Sequence, residues 1–193
     1  MPDFADHPQI LDFLLNRRSH PARLLAGPGP DAATLDRLLT AAVRVPDHGK
    51  LEPWRLIVIT GAARARLGAL VTARGTATGR DPEKLAKDAA AWDAPVTVAV
   101  ITVPRPTDRI PEWEQVLSAG AVCLSLVNAA LAAGFGACWL TGFAAYDRAF
   151  TRDGLGLAEG EKVAGFICIG QSAGAPPDRP RPDLERVVSR VSE

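Results

Sequence analysis

Val45-Pro46-Asp47-His48-Gly49-Lys50-Leu51-Glu52-Pro53-Trp54 runs straight into Arg55-Leu56-Ile57-Val58-Ile59-Thr60, and that passage from polar loop to apolar run sets the fold class. Pro46 ends the helical pattern before it, and Gly49 permits a tight backbone turn. Residues 56–59 are continuously apolar, which predicts a strand covered on both faces. A polar loop held at the mouth of a buried strand is a natural place for a ligand, although its composition names none.

Upstream, residues 8–18 predict a first helix with Ile10, Leu11, Phe13, Leu14 and Leu15 on its apolar face. Arg17 and Arg18 at its end read in two ways: as complements to the helix dipole, or, with the Ser19 hydroxyl, as an anion site. Residues 24–30 read as a Gly/Pro linker. Asp31 is placed to cap a helix whose Leu35, Leu38, Leu39, Ala42 and Val43 keep the i, i+3, i+4, i+7, i+8 spacing. Arg44 closes that helix, so two helices deliver arginines to their C-terminal ends.

Downstream, Gly61 opens a third helix. Residues 72–81 are rich in Gly, Thr and Arg and read as a mobile connection; Gly75 and Gly79 lack the flanking pattern of a phosphate loop. Residues 82–92 predict a short surface helix, 95–103 a strand and 112–133 the longest helix. The middle of that helix is small and apolar nearly all round, which suits packing against another chain or a flat cofactor. Gly134-Phe135-Gly136 caps it; 137–142 reads as a strand or extended turn and 163–170 as a further strand, with a short helix at 146–150. Strands separated by helices without strict alternation predict an α+β layered fold on a small mixed sheet. The reading is one domain over 1–193, with its core at about 8–170 and a Pro/Arg-rich tail at 172–193 that adds nothing to the core.

With 193 residues the chain can bury a sizeable core. Lys plus Arg equals Asp plus Glu at 22 each, so no bulk field favours nucleic acid or an anionic membrane. Residues 1–6 are acidic and lack the basic start of a secretory signal, and no membrane span stands out; the expected location is cytoplasmic. Cys123, Cys138 and Cys168 are far apart, each in an apolar run, which predicts buried thiols. No metal-binding spacing of His or Cys is present. Trp54 reads as core packing, and His7 and His20 as surface residues.

An ordered set of motifs runs through residues 12–170: Arg17-Arg18-Ser19 after a first helix, Arg44-Val45-Pro46-Asp47-His48 leading to Pro53-Trp54, Glu114-Gln115 to Gly120 in a long helix, then Gly134-Phe135-Gly136 and Trp139. This set resembles the nitroreductase family. The resemblance implies a three-layer fold built as an intertwined homodimer, with FMN in clefts at the subunit interface and NADH or NADPH as electron donor. It implies flavin contacts from Arg17, Arg18 and Ser19, from Arg44 and His48 donated across the dimer, and from Trp139, Leu140 and Thr141. Ala129, Ala130, Leu131, Ala132, Ala133 and Gly134 match a nicotinamide-cofactor segment. The flavin carries the chemistry, so no catalytic side chain is implied.

The implied activity is ping-pong reduction of nitroaromatic, quinone or similar oxidised acceptors. Two alternatives are another flavin chemistry on the same scaffold (dehydrogenation, dehalogenation, flavin cleavage) and a non-catalytic flavin-binding redox sensor. The sequence departs from the larger family members at Lys50 and Glu52, where they carry asparagine and glutamine. Their C-terminal basic pair has only Arg179 and Arg181 as candidate substitutes, against the competing reading of a disordered tail.

Overall fold

The computed structural model describes residues 6–172, 174 and 176–192, so most of the acidic N-terminal stretch lies outside the described residues. Its centre is strand β3 (Val96–Thr102), whose β-branched run is buried at every position. Around it stand β1 (Leu25–Ala26), β2 (Trp54–Ile59), β4 (Gly136–Leu140) and β5 (Lys162–Ser172). The sheet order is β1-β5-β3-β2, with β4 also on β5. Each of these pairings is antiparallel, where a mixed sheet was expected; the α+β class stands.

The helices are α1 (Pro8–Asn16), α2 (Ala32–Ala42), α3 (Ala62–Ala77), α4 (Pro82–Ala90), α5 (Glu112–Ala132), α6 (Gly142–Tyr146), α7 (Arg148–Leu155) and α8 (Leu184–Val187). Period-two alternation along β3 divides the core. Val96, Val98 and Val100 face α2 and α5, packing with Leu38, Ala42, Val122 and Leu126. Ala99 and Ile101 face the other way, toward Leu67, Val71, Leu85 and Phe150 of α3, α4 and α7. The result is helix, sheet, helix. Asp31 caps α2 by accepting from the Thr34 amide at 2.7 Å.

Several expectations are corrected. β2 is an edge strand, not one covered on both faces, and Val58 is 41% exposed. The 24–30 linker contains β1, because Leu25 and Ala26 pair with Ser172 and Gln171. Residues 72–81 are mostly the last turns of α3, not a mobile connection. Gly75 has no side chain, so Leu85 of α4 packs directly on the helix, and Arg74 makes two bonds to Asp147 at 3.0 and 3.1 Å. α1 stops at Asn16, which leaves Arg17, Arg18 and Ser19 outside the helix. The helix expected at 146–150 resolves into α6 and α7, with Asp147 capping the second through the Phe150 amide.

α5 is, among the described residues, the one helix long and apolar enough to cross a membrane, which the sequence reading did not anticipate. One side of it is nevertheless core, with Ala119, Val122, Cys123, Leu126 and Val127 buried against the sheet and α2. The opposite side carries Trp113, Val116, Leu117 and Leu124 into solvent. α1 has no buried residue, and Ile10, Leu11, Leu14 and Leu15 are exposed. The three cysteines are free and buried as expected. Burial pushes the Cys123 thiol up to about 12; a hydrogen bond with its cross-strand neighbour Cys168, and then burial, push Cys138 up as well.

Candidate functional site

Most of the site residues read from the sequence lie along α5. At its C-terminal end, Arg17, Arg18, Arg181, Asp178, His20 and Leu131 line one cavity of about 410 Å³. The chain enters this cavity because α1 ends at Asn16 and the His20 amide then donates to the Ala137 carbonyl at 2.9 Å, fixing the segment to the start of β4. Arg17 donates to Ser19 Oγ at 3.1 Å, and Arg18 pairs with Asp178 at 2.9 Å. Arg17 Nε is buried and has no partner.

Burial, then repulsion from Arg181 and Arg18, holds the Arg17 guanidinium below its usual range. A cluster of like charges with one orphaned donor is short of an anion. Of the two candidate basic residues in the tail, Arg181 lines this cavity and Arg179 does not. The tail returns to this cavity through Asp178, which pairs with Arg18 and also lies 3.4 Å from Arg181. Its sequence carried only a Pro/Arg bias, so nothing local signalled the contact.

His20 is half-buried rather than a surface residue; burial pushes its imidazole below the usual histidine range. Its Nδ1 is buried without a partner. Trp139 is the next element along α5. It lies over Gly165, where any side chain would collide with the indole, and reaches Gly120 of α5. The indole N–H donates to the Ala164 carbonyl at 3.2 Å, and the ring remains 40% exposed.

Leu140 and Thr141 do not share the arginine cavity. They line a separate one on the α4–α6 side of the sheet. In the segment 129–134, expected from the resemblance to meet the nicotinamide cofactor, Leu131 reaches the arginine cavity, Ala130 is buried, Ala129 is half-buried, and Ala132, Ala133 and Gly134 are exposed at the helix end.

Arg44 and His48 belong to the other half of α5. Ser125 Oγ donates to the Ala41 carbonyl at 3.1 Å and Ser118 Oγ to the Pro46 carbonyl at 2.8 Å, so Arg44 is carried across the middle of the helix with its side chain exposed. His48 Nδ1 meets Glu114 Oε2 at 2.7 Å. Glu114 and Leu131 are separated by about 25 Å at the helical rise per residue. His48 and the arginine cavity of one chain therefore stand at opposite ends of α5.

The loop around His48 is held in an unusual shape. Lys50 and Glu52, the two departures from the larger members' pattern, have φ of 55° and 47°, and Gly49 has φ of 71°. Asp47 holds the shape by accepting from the amides of Leu51 at 3.2 Å and Glu52 at 2.8 Å. Glycine suits position 49 on two counts: its φ is left-handed, and a Cβ there would push against the terminal methyl of Ile110. Trp54 is half-buried against the core, and its indole donates to Ser118 Oγ at 3.1 Å. Among the described residues no cluster of His, Cys, Asp and Glu is arranged to hold a metal.

The family model described as "Nitroreductase family" matches residues 14–171. The Escherichia coli protein named "Putative NAD(P)H nitroreductase YdjA" is 35% identical over 161 residues, 83% of this chain and 86% of its own. Among solved structures, a nitroreductase-like family protein from Bacillus cereus superposes with a TM-score of 0.80 at 23% identity, over 98% of this chain and 99% of its own. A nitroreductase with bound FMN from Bacteroides fragilis gives a TM-score of 0.73 at 21% identity, covering 95% and 99%. The match spans the segment that carries the arginine motif, the His48 loop, α5 and β4, and on that span the chain belongs to the nitroreductase family.

Proposed function

We propose that the protein is a single-domain, homodimeric, cytoplasmic oxidoreductase that uses FMN to move reducing equivalents from NADH or NADPH to nitroaromatic, quinone or similar oxidised acceptors. The observation that carries this reading is the arginine cavity. Three guanidiniums meet there, one with a buried unpartnered Nε, and a phosphate monoester supplies the missing charge and acceptors. Two printed names point the same way: a relative is named "Putative NAD(P)H nitroreductase YdjA", and a structural neighbour is described as a nitroreductase with bound FMN.

FMN, when bound, supplies the hydride chemistry. The chain's own residues hold and orient it. Arg17, Arg18, Ser19 and Arg181 would take the phosphate. Trp139 would give the ring an aromatic wall, with Leu140 and Thr141 at its edge. The exposed turn Ala132-Ala133-Gly134 beside Leu131 would leave room for the nicotinamide donor. Donor and acceptor then use one opening in succession, which predicts parallel double-reciprocal lines in initial-rate kinetics.

The homodimer reading rests on the exposed apolar faces of α5 and α1, which a stable single chain would not leave in water. Two α5 helices packed antiparallel would bring His48 and Arg44 of one chain toward the arginine cavity of the other. A burial on the order of 2,000–5,000 Å² suits such an obligate interface. The testing experiment is titration of apo-protein with FMN, followed by anaerobic addition of NADH and of NADPH. Saturable binding and bleaching of the flavin absorbance are expected. Absence of FMN binding overturns the proposal.

A further inference from the structure

The cavity containing Leu140 and Thr141 lies on the face of the sheet opposite α5, and the proposed function leaves it without an occupant. Its volume is about 190 Å³. A dry cavity of about 150 Å³ lined by aliphatic and aromatic side chains is known to hold benzene, so this one has room for a single substituted ring. Trp92, Phe143, Phe166 and Leu140 form its walls. Trp92 and Phe166 meet edge to face at 5.2 Å, presenting aromatic surface of the kind a further ring packs on. The hydroxyl of Thr97 on β3 is already committed to Cys168 Sγ at 3.8 Å.

The rim is charged, and the charges are unequal. Asp88 of α4 is paired with Arg80, which also lies over the Phe143 ring at 5.1 Å. Lys87, next to Asp88 on the rim, is exposed and has no carboxylate partner among the described residues. Of the two charged residues that line the cavity, Asp88 is committed to Arg80 and Lys87 is not; Glu83, one turn earlier on α4, shares the neighbouring cavity with Lys87 and does not line this one. An apolar slot of one-ring depth under a free ammonium selects a small aromatic anion.

We propose that this cavity is a second ligand site for a monocyclic aromatic carboxylate or phenolate, with the ring between Trp92 and Phe143 and the anion at Lys87. The site stands independently of the flavin reading. It shares only the Leu140-Thr141 turn with the proposed flavin wall, and it is formed within one chain.

Benzoate, with benzyl alcohol as the neutral comparison, is titrated by NMR into the apo-protein and into FMN-loaded protein. Benzoate is expected to saturate one site per chain with the same dissociation constant in both. Lys87→Gln, at an exposed position that leaves the fold intact, should weaken benzoate about tenfold, as loss of a charge-assisted contact does, and leave benzyl alcohol unchanged. Crystals soaked in 4-bromobenzoate should show bromine between Trp92 and Phe143. The proposal is overturned by non-saturable binding, by equal weakening of both probes in Lys87→Gln, or by bromine elsewhere. Displacement of benzoate by FMN also overturns it, since the cavity would then belong to the flavin cleft.

Discussion

Ser118 joins Trp54 to Pro46: its hydroxyl oxygen accepts from the Trp54 indole at 3.1 Å and its proton goes to the Pro46 carbonyl at 2.8 Å. One buried hydroxyl on α5 thus clamps both ends of the loop that carries His48. Ser118→Ala leaves the indole N–H and the carbonyl without a partner. The expected cost is about 1–3 kcal/mol in urea unfolding at unchanged m-value. An unchanged midpoint would show that water replaces the hydroxyl and that the clamp is dispensable.

The anion cavity predicts opposite effects for two neighbouring substitutions. Arg17→Ala removes the orphaned buried donor and should weaken FMN at least tenfold, the scale of a charge-assisted hydrogen bond. Asp178→Asn removes the one carboxylate on the cavity wall and should tighten FMN several-fold, because Arg18 no longer has a competing anion. Arg37→Ala, on the exposed face of α2, is the control. Arg64 is unsuitable for that purpose, since its guanidinium donates to the carbonyls of Asp93 and Ala94. Weaker FMN binding in Asp178→Asn would mean that the carboxylate organises Arg18 rather than competes for it.

These contacts also show what could be read in advance. The layered α+β class, the α2 cap at Asp31 and the buried cysteines were legible, because each follows from local periodicity or side-chain chemistry. The edge position of β2 was not, since an apolar run cannot say which neighbours it will have. Nor was β1, whose two residues gain strand character only by pairing with the end of β5. The 72–81 segment misled because Gly and Thr weigh against helix; Gly75 is there to admit Leu85. The left-handed backbone at Lys50 and Glu52 has no signature in those residue types, and the return of Arg181 is a long-range contact of a biased tail.

His20 predicts a pH effect whose sign follows from burial. Its imidazole titrates below the usual histidine range in the folded chain, so in the window between the unfolded and the depressed folded pKa the unfolded chain binds more protons. This part of the stability is complete above the unfolded histidine pKa of about 6.5 and is lost as pH falls through the depressed folded value. His20→Gln should flatten the fall in unfolding free energy across that window by no more than one proton. Identical pH slopes for wild type and His20→Gln would mean that the imidazole is hydrated after all.

The last prediction separates the two halves of the proposed flavin site. The arginine cavity is complete within one chain, whereas His48 is tied to Glu114 at the far end of α5, beside the exposed Trp113 and Leu117. Leu117 is 59% exposed, so Leu117→Asp costs the single chain little but places a charge in any α5–α5 contact. Sedimentation should show monomers, and FMN affinity should fall as the contacts from the second chain are lost. Inorganic phosphate should bind as in the wild type, because Arg17, Arg18 and Arg181 still meet. Wild-type FMN affinity in a monomeric Leu117→Asp would place the whole flavin site in one chain, with Arg44 and His48 outside it. Parallel loss of phosphate and FMN would instead mean that the arginine cavity itself is shaped by the second subunit.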